Sequence, residues 1–408
     1  MKPNRSNPEK VWPLQIWGYD LNVWQSLTCA LMLVYAIIIL GTFTQYSITP
    51  DEHHHVRNGA DVIRWHGRFF QDYDGFDTKN IWLYGAAFDF LNHLVSTLLP
   101  LKRFDAFHLC NAFAGWLGVW AAYRIGVLLG GPRAGFLAAL ALVLTPRYYG
   151  HAFNNPKDVP FAAGYLWSLY FLSRGLIQSP NLPRKLIFKI GLCLGLAMGI
   201  RVGGVVLLGY LGLFYAIRYF QLSKRIWQPD LLGRLLGQAT AIAAIAYITM
   251  LCFWPWAQLN PLIRPWRAIQ TFSRFTEYHH NFFNGQYVLN IHIPGTYILQ
   301  WLILTLPEFV FAGLATWVIG LKGRSTASLQ HLLLLFGGLF PIGYTWVSHT
   351  PLYDGIRHLL FVVPPLVTLA AIGLDNALKM FFQAKKYLAT AIGLLLGMVG
   401  FEMVRLHP

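Results

Sequence analysis

Residues 27–43, LTCALMLVYAIIILGTF, run within six residues into Thr49-Pro50-Asp51-Glu52-His53-His54-His55, and this junction decides how the chain is read. A helix needs about 20 mainly apolar residues to cross a hydrocarbon layer, and the first run with its flanks supplies them. Two acids and three imidazoles at its exit have no packing reason to gather there. They nominate a reaction site at a water-facing membrane surface. Lys2, Arg5 and Lys10 precede the run without a small-residue cleavage site, so it reads as an anchor rather than a removed leader.

The rest of the chain fits that beginning. Of 408 residues, 55% are hydrophobic and only 12% charged, too apolar for an ordinary soluble domain. Apolar runs recur at 107–129, 136–149, 161–176, 186–200, 202–219, 235–254, 297–321, 329–347, 358–378 and 387–404. The expectation is an all-α polytopic membrane protein of about 11 to 13 transmembrane helices, residues 1–408 forming a single transmembrane domain. Residues 81–101 are apolar too, but Asp89, Asn92 and His93 interrupt them, so they read as an interfacial helix. Cys29, Cys110, Cys193 and Cys252 all lie in apolar runs and form neither a disulfide framework nor a zinc spacing.

Charge orients the bundle, because basic residues accumulate in cytoplasmic loops. With the amino terminus inside, inner segments hold 18 basic against 4 acidic residues and outer segments 14 against 13. Two outer loops are then large, 46–106 with its interfacial helices and 255–296. Nothing marks a nucleic-acid partner; membrane lipids are the surroundings these loops suit.

Thr49-Pro50-Asp51-Glu52 has the form of a helix start, with Thr49 capping, Pro50 in the first turn and Glu52 reaching back. That explains Glu52 and leaves Asp51 unexplained. On a helix from Pro50, Asp51 would neighbour His55 and Asn58, with His54 on its other flank. A carboxylate among imidazoles suits a general base. It also makes Asp51 and His55 the candidate ligands for a divalent metal, the one cofactor considered, although consecutive His53 to His55 point in different directions. A second acidic helix start, Asn155-Pro156-Lys157-Asp158, emerges on the same side, with Arg147 and His151 nearby. The late group Tyr353-Asp354-Gly355-Ile356-Arg357-His358 puts a cation where the helix dipole prefers an anion, which suits an anionic ligand or lipid headgroups. Arg57, Arg64, Lys79, Arg201, Arg264, Arg267 and Arg274 are further outer cations able to meet phosphate.

In order and spacing these pieces resemble the GT-C superfamily of glycosyltransferases that use polyprenyl-phosphate sugars, near the branch of protein O-mannosyltransferases and the lipid A aminoarabinose transferase. The resemblance is carried by Pro50-Asp51-Glu52, Phe76-Asp77-Thr78-Lys79-Asn80, Lys157-Asp158-Val159-Pro160-Phe161, Trp254-Pro255-Trp256, and Arg357-His358 with Pro364-Pro365. It implies a catalytic set of Asp51, Glu52 and Asp158, with Asp51 as the base that activates the acceptor. Arg57, Lys79, Arg357 and His358 would hold the donor phosphate, and His54, His55, His151, Arg264 and Arg267 stand behind them. The family's usual arginine lies nearer the acidic pair, where this chain has His53 to His55, so His54 is a substitute for Arg57.

The implied partners are a polyprenyl-phosphate-linked sugar and a lipid, glycan or protein acceptor. The implied place is a bacterial inner membrane, with the site facing the periplasm. A single inverting displacement would need one base and no nucleophile. A transporter or lipid flippase is the rival, and it would carry ionisable or broken-helix elements near the bilayer midplane, often in two related halves. In a noncatalytic subunit, Asp51 and Asp158 would be helix caps alone.

Overall fold

The computed structural model describes residues 14–16, 19–68, 81–224, 226–273, 278–321, 328–380 and 385–407. Its order begins with a short hairpin, β1 (Leu14–Ile16) and β2 (Tyr19–Leu21), then α1 (Val23–Thr42) and α2 (Pro50–Gly67). After a 3-10 turn at Ile81–Leu83 come α3 (Ala87–Leu98), α4 (Arg103–Gly130), α5 (Pro132–Val143), α6 (Pro146–Asn154), α7 (Asp158–Gln178) and α8 (Arg184–Met198). A turn at Val202–Val205 leads into α9 (Val206–Leu222), followed by α10 (Pro229–Cys252), α11 (Pro255–Gln258) and α12 (Arg264–Ser273). A second antiparallel hairpin, β3 (His280–Phe283) and β4 (Gln286–Leu289), precedes α13 (Tyr297–Thr305), α14 (Glu308–Leu321), α15 (Leu329–Val347), α16 (Val363–Met380) and α17 (Lys385–Arg405).

The all-α expectation therefore holds apart from two small hairpins. The second hairpin turns on Asn284-Gly285, with φ of 50° and 79°, the paired left-handed geometry that a two-residue loop between twisted strands requires.

Among the described residues six helices are long and apolar enough to cross a membrane, or seven if the bent pair α13 and α14 counts as one span. The larger number expected from apolar runs is not reached on length and composition: α5 and α8 are too short, α7 and α15 are not apolar enough, and proline cuts two of the runs. A residue before proline is pushed out of the helical region. Thr145 (φ −95°, ψ 101°) accordingly ends the run at 136–149 before Pro146, and Leu306 (φ −94°, ψ 133°) separates α13 from α14 at a bend of 107°. The interfacial reading of 81–101 resolves into the 3-10 turn and the 12-residue α3, too short to span.

Helix α16 is the hub. Every residue from Val363 to Leu378 is buried, and the helix packs against α14, α5, α4 and α15. At one end of the bundle Asp375, fully buried, pairs with Arg133 and with Lys379 at 2.5 Å. The α1–α2, α6–α7 and α8–α9 connections and the start of α16 gather at the other end. There Gly85 lies against the backbone of Gly199, leaving no room for a Cβ, and Ala87 N–H donates to Gly199 O at 3.0 Å. This stitches the segment before α3 to the end of α8.

Candidate active site

Four chain segments far apart in sequence supply the polar cluster at that end. Asp51 stands in the first turn of α2, whose start is built as the sequence pattern requires: Glu52 accepts from Thr49 N–H at 2.7 Å and from its hydroxyl at 3.0 Å. Thr49 Oγ1 also donates to Asn154 O at 3.3 Å, tying this start to the end of α6. Asp158 opens α7, where its N–H donates to Asn155 Oδ1 at 2.9 Å and its Oδ2 accepts from Asn155 Nδ2 at 3.0 Å. Arg357 follows a turn in which Asp354 and Gly355 both adopt positive φ, 56° and 68°.

Arg357 joins the two aspartates. Its Nη1 lies 3.1 Å from Asp51 Oδ2 and its Nε 3.5 Å from Asp158 Oδ2, while Asp354 Oδ2 is 3.4 Å from Nη1. Arg201, from the break between α8 and α9, pairs with the other oxygen of Asp158. Arg147 donates to Asp354 O at 2.9 Å, and the Lys157 ammonium sits 4.5 Å from the ring centroid of Tyr84. Burial lowers the Lys157 pKa, which Asp158 partly offsets and the Arg201 charge reinforces. His151 shares a 3.3 Å hydrogen bond with Asn155, and burial first, then the Arg147 charge, holds its pKa down at about 4.

A cavity of about 490 Å³ opens beside this cluster. Its wall is mostly apolar, formed by Val202 and Val206 before and at the start of α9, Ile269 and Phe272 of α12, Phe340 of α15, and Phe361. Tyr84, Arg201 and His358 also line it. Charged groups thus meet an apolar chamber, an arrangement suited to a ligand with an anionic head and an apolar tail.

The structure separates the candidate residues. It brings Asp51, Asp158 and Arg357 together, sets His358 in the cavity wall, and adds His151 at the edge. Glu52 is fully buried, bonded to Thr49 and 2.9 Å from His108, so its carboxylate builds the helix start instead of facing a substrate. His55 and Asn58 share a face of α2 with Asp51 but do not bond to it. Both are claimed by Asp89 of α3, at 2.8 Å and 2.7 Å, because the close-packed α3 presents a carboxylate to that face of α2. Among the described residues no three His, Cys, Asp or Glu side chains converge as metal ligands, and the suggested pair Asp51 and His55 is divided between two clusters.

Arg57 is exposed on α2, and neither it nor the half-buried His54 bonds to the cluster. Arg264 is turned to Trp256, donating to its carbonyl at 3.0 Å and lying over its ring, and Arg267 is exposed. Lys79, with the rest of the 76–80 motif, falls outside the described residues.

Sequence reasoning named Arg201 only as one of seven outer cations able to meet phosphate, and did not name Tyr84. The signal for Arg201 was present: an arginine in Gly199-Ile200-Arg201-Val202-Gly203, confined to a tight break between two apolar runs, needs a counter-ion. Tyr84 carries no comparable signal, because its place follows from the stitching of Gly85 to Gly199.

The helical bundle, with an acid and arginine cluster at one end beside an apolar chamber, has the GT-C fold. Residues 88–256 match the model of the dolichyl-phosphate-mannose-protein mannosyltransferase family. Among solved structures the chain is similar to ArnT from Cupriavidus metallidurans bound to undecaprenyl phosphate, with 18% identity and a TM-score of 0.58, over 86% of this chain and 60% of that one. It is also similar to the Archaeoglobus fulgidus oligosaccharyltransferase in the apo form, with 13% identity and a TM-score of 0.56, over 93% of this chain and 55% of that one. The same archaeal protein in complex with an inhibitory peptide and a dolichol-phosphate gives 12% identity and a TM-score of 0.55, over 92% and 54%. No curated protein sequence matches the chain. The chain spans little more than half the length of these structures, and at such identities the likeness is one of fold: this is a GT-C fold in an integral membrane protein.

Proposed function

We propose that the protein transfers a sugar from a polyprenyl-phosphate donor to a hydroxyl or similar acceptor at the outer face of a membrane, by a single inverting displacement. One observation carries this reading: two aspartates from separate helix starts meet on Arg357, beside a mostly apolar cavity of about 490 Å³. Asp51, with 41% of its side chain exposed, is the base. It takes the proton as the acceptor oxygen bonds to the anomeric carbon and the bond from that carbon to the phosphate oxygen breaks. The leaving lipid phosphate gains charge in that step, so the site needs fixed cations near it. Arg357 serves there as the cation, and the His358 imidazole in the cavity wall serves as a hydrogen-bond donor. Asp158 keeps the Arg201 and Arg357 guanidiniums in place.

The mostly apolar wall of the cavity suits part of a polyprenyl chain, and both ArnT and the archaeal oligosaccharyltransferase have been captured with a polyprenyl-type lipid phosphate. The charge asymmetry supports an amino terminus in the cytoplasm and a site facing the periplasm of a bacterial inner membrane. Purified protein incubated with a panel of polyprenyl-phosphate sugars, with and without chelator, should release free lipid phosphate, and Asp51→Asn should abolish the release while leaving the fold intact. Unchanged release by Asp51→Asn would refute the role of the base. Movement of lipid or solute across vesicles with no cleavage would favour the transporter.

A further inference from the structure

The cluster holds three carboxylates, Asp51, Asp158 and Asp354, and four basic side chains, Arg147, Lys157, Arg201 and Arg357. Arg201 and Arg357 are spoken for by these carboxylates. Among the described residues Arg147 meets no carboxylate within ion-pair distance, but it donates to a backbone carbonyl at 2.9 Å from a partly exposed position. Lys157 is different. Only 7% of the residue is exposed, and its ammonium has no hydrogen bond or ion pair among the described residues, only the face of Tyr84.

A buried ammonium resting on a ring recovers part of its lost hydration, yet far less than a counter-ion would give. Such a residue is costly to keep if the site stays as it is. The cost is offset if an anion arrives. Tyr84, the ring beneath the ammonium, is itself part of the cavity wall, together with Arg201 and His358. The unpaired charge therefore stands at the polar end of the apolar chamber, and the surplus of the cluster is a single positive charge.

We propose that Lys157 is the anchor for the phosphate of a lipid-linked phosphodiester, whose one negative charge completes the cluster while its apolar chain occupies the cavity. This rests on the glycosyl-transfer reading above and sharpens it: the first contact of the donor phosphate is a buried lysine of the second acidic loop, not the exposed Arg57 of the first. Arg357 and Arg201, already paired, act on the charge that develops as the bond breaks. Lys157 acts in the ground state.

Binding of undecaprenyl phosphate and of undecaprenol to the full chain in nanodiscs, followed by native mass spectrometry and thermal shift, tests the assignment. Wild type should prefer the phosphate at least tenfold. Lys157→Met, close in length and uncharged, should lose that preference while holding undecaprenol as before, and Lys157→Arg should restore most of it. Without ligand, Lys157→Met should melt at or above the wild-type temperature, since an uncompensated buried charge has been removed. If Lys157→Met does not fold, Lys157→Gln carries the same comparison.

A full phosphate preference in the neutral variant would overturn the assignment and leave the lysine as a support for Tyr84, with the donor reading intact. A wild type indifferent to the phosphate would overturn both. Inorganic phosphate should compete only at concentrations far above those of the lipid. Equal potency would refute a lipid-linked ligand.

Discussion

Asp51 keeps 41% of its side chain exposed while Asp158, which meets the same arginine, keeps 1%, and this difference separates the phenotypes expected of their variants. An exposed ion pair contributes at most about 1 kcal/mol, so Asp51→Asn should unfold within about 1 kcal/mol of wild type. Losing a general base should nonetheless slow transfer by roughly 10² to 10⁴-fold. Asp158→Asn strips Arg201 and Arg357 of their buried counter-charge, which costs about 3–5 kcal/mol. Chemical denaturation should show that loss even where no substrate is present, and a stable Asp158→Asn variant would contradict it. His151 gives a pH signature. Its folded pKa of about 4 lies below the ordinary value near 6.5, so between those limits the unfolded chain binds the proton and the folded one does not. Stability is therefore intact above about pH 6.5 and falls as the pH drops toward 4, by up to roughly 3 kcal/mol. Melting temperatures across this window should fall less in His151→Gln than in wild type, and parallel curves would refute the contribution.

At the scale of elements, proline shapes the cavity wall. Pro341 inside α15 has no N–H, which leaves the carbonyl of Gly337 without its helical donor. The Tyr165 hydroxyl donates to that carbonyl at 2.8 Å and lies 3.0 Å from the Tyr210 hydroxyl, so α7 and α9 brace α15 at its proline. Tyr165→Phe should cost about 1–3 kcal/mol, the penalty for a buried acceptor left unmade. It should also raise hydrogen exchange along 337–345, and unchanged exchange there would show that this stretch of α15 does not depend on the bond. The same chemistry explains what was legible in the sequence. The helix start at Thr49-Pro50 could be read because capping is local, and Asn155 does accept from the Asp158 N–H, but α7 begins at Asp158 and leaves Pro156 outside it. The breaks at Thr145-Pro146 and Leu306-Pro307 and the Asn284-Gly285 hairpin were equally local, but apolar runs spanning or flanking them hid the signal. His55 was misplaced for the opposite reason, since Asp89, 34 residues away, decides its partner and helix periodicity is blind to α3.

For the whole molecule, the uneven distribution of charge implies an orientation, and the two ends of the bundle differ in a way that supports it. Asp51, Asp158, Arg201 and Arg357 assemble at one end, whereas Arg133, Asp375 and Lys379 assemble at the other, beside the loops that hold most of the surplus basic residues. Composition could anticipate that the acidic helix starts share a side, because alternating spans leave no other choice. It could not anticipate that Arg201 closes on Asp158, 43 residues earlier, or that Lys157 has no counter-ion in hydrogen-bond or ion-pair contact among the described residues, since both depend on how α7, α8 and α16 pack. The orientation is open to direct measurement through two exposed aromatics, Tyr287 on the hairpin at 77% exposure and Trp227 between α9 and α10 at 70%. With the four native cysteines replaced, Tyr287→Cys should react with a membrane-impermeant thiol reagent in spheroplasts. Trp227→Cys should react only after the membrane is opened. Basic residues are retained on the cytoplasmic side, so the reverse pattern would put the aspartate and arginine cluster in the cytoplasm and remove the premise that transfer occurs on the outer face.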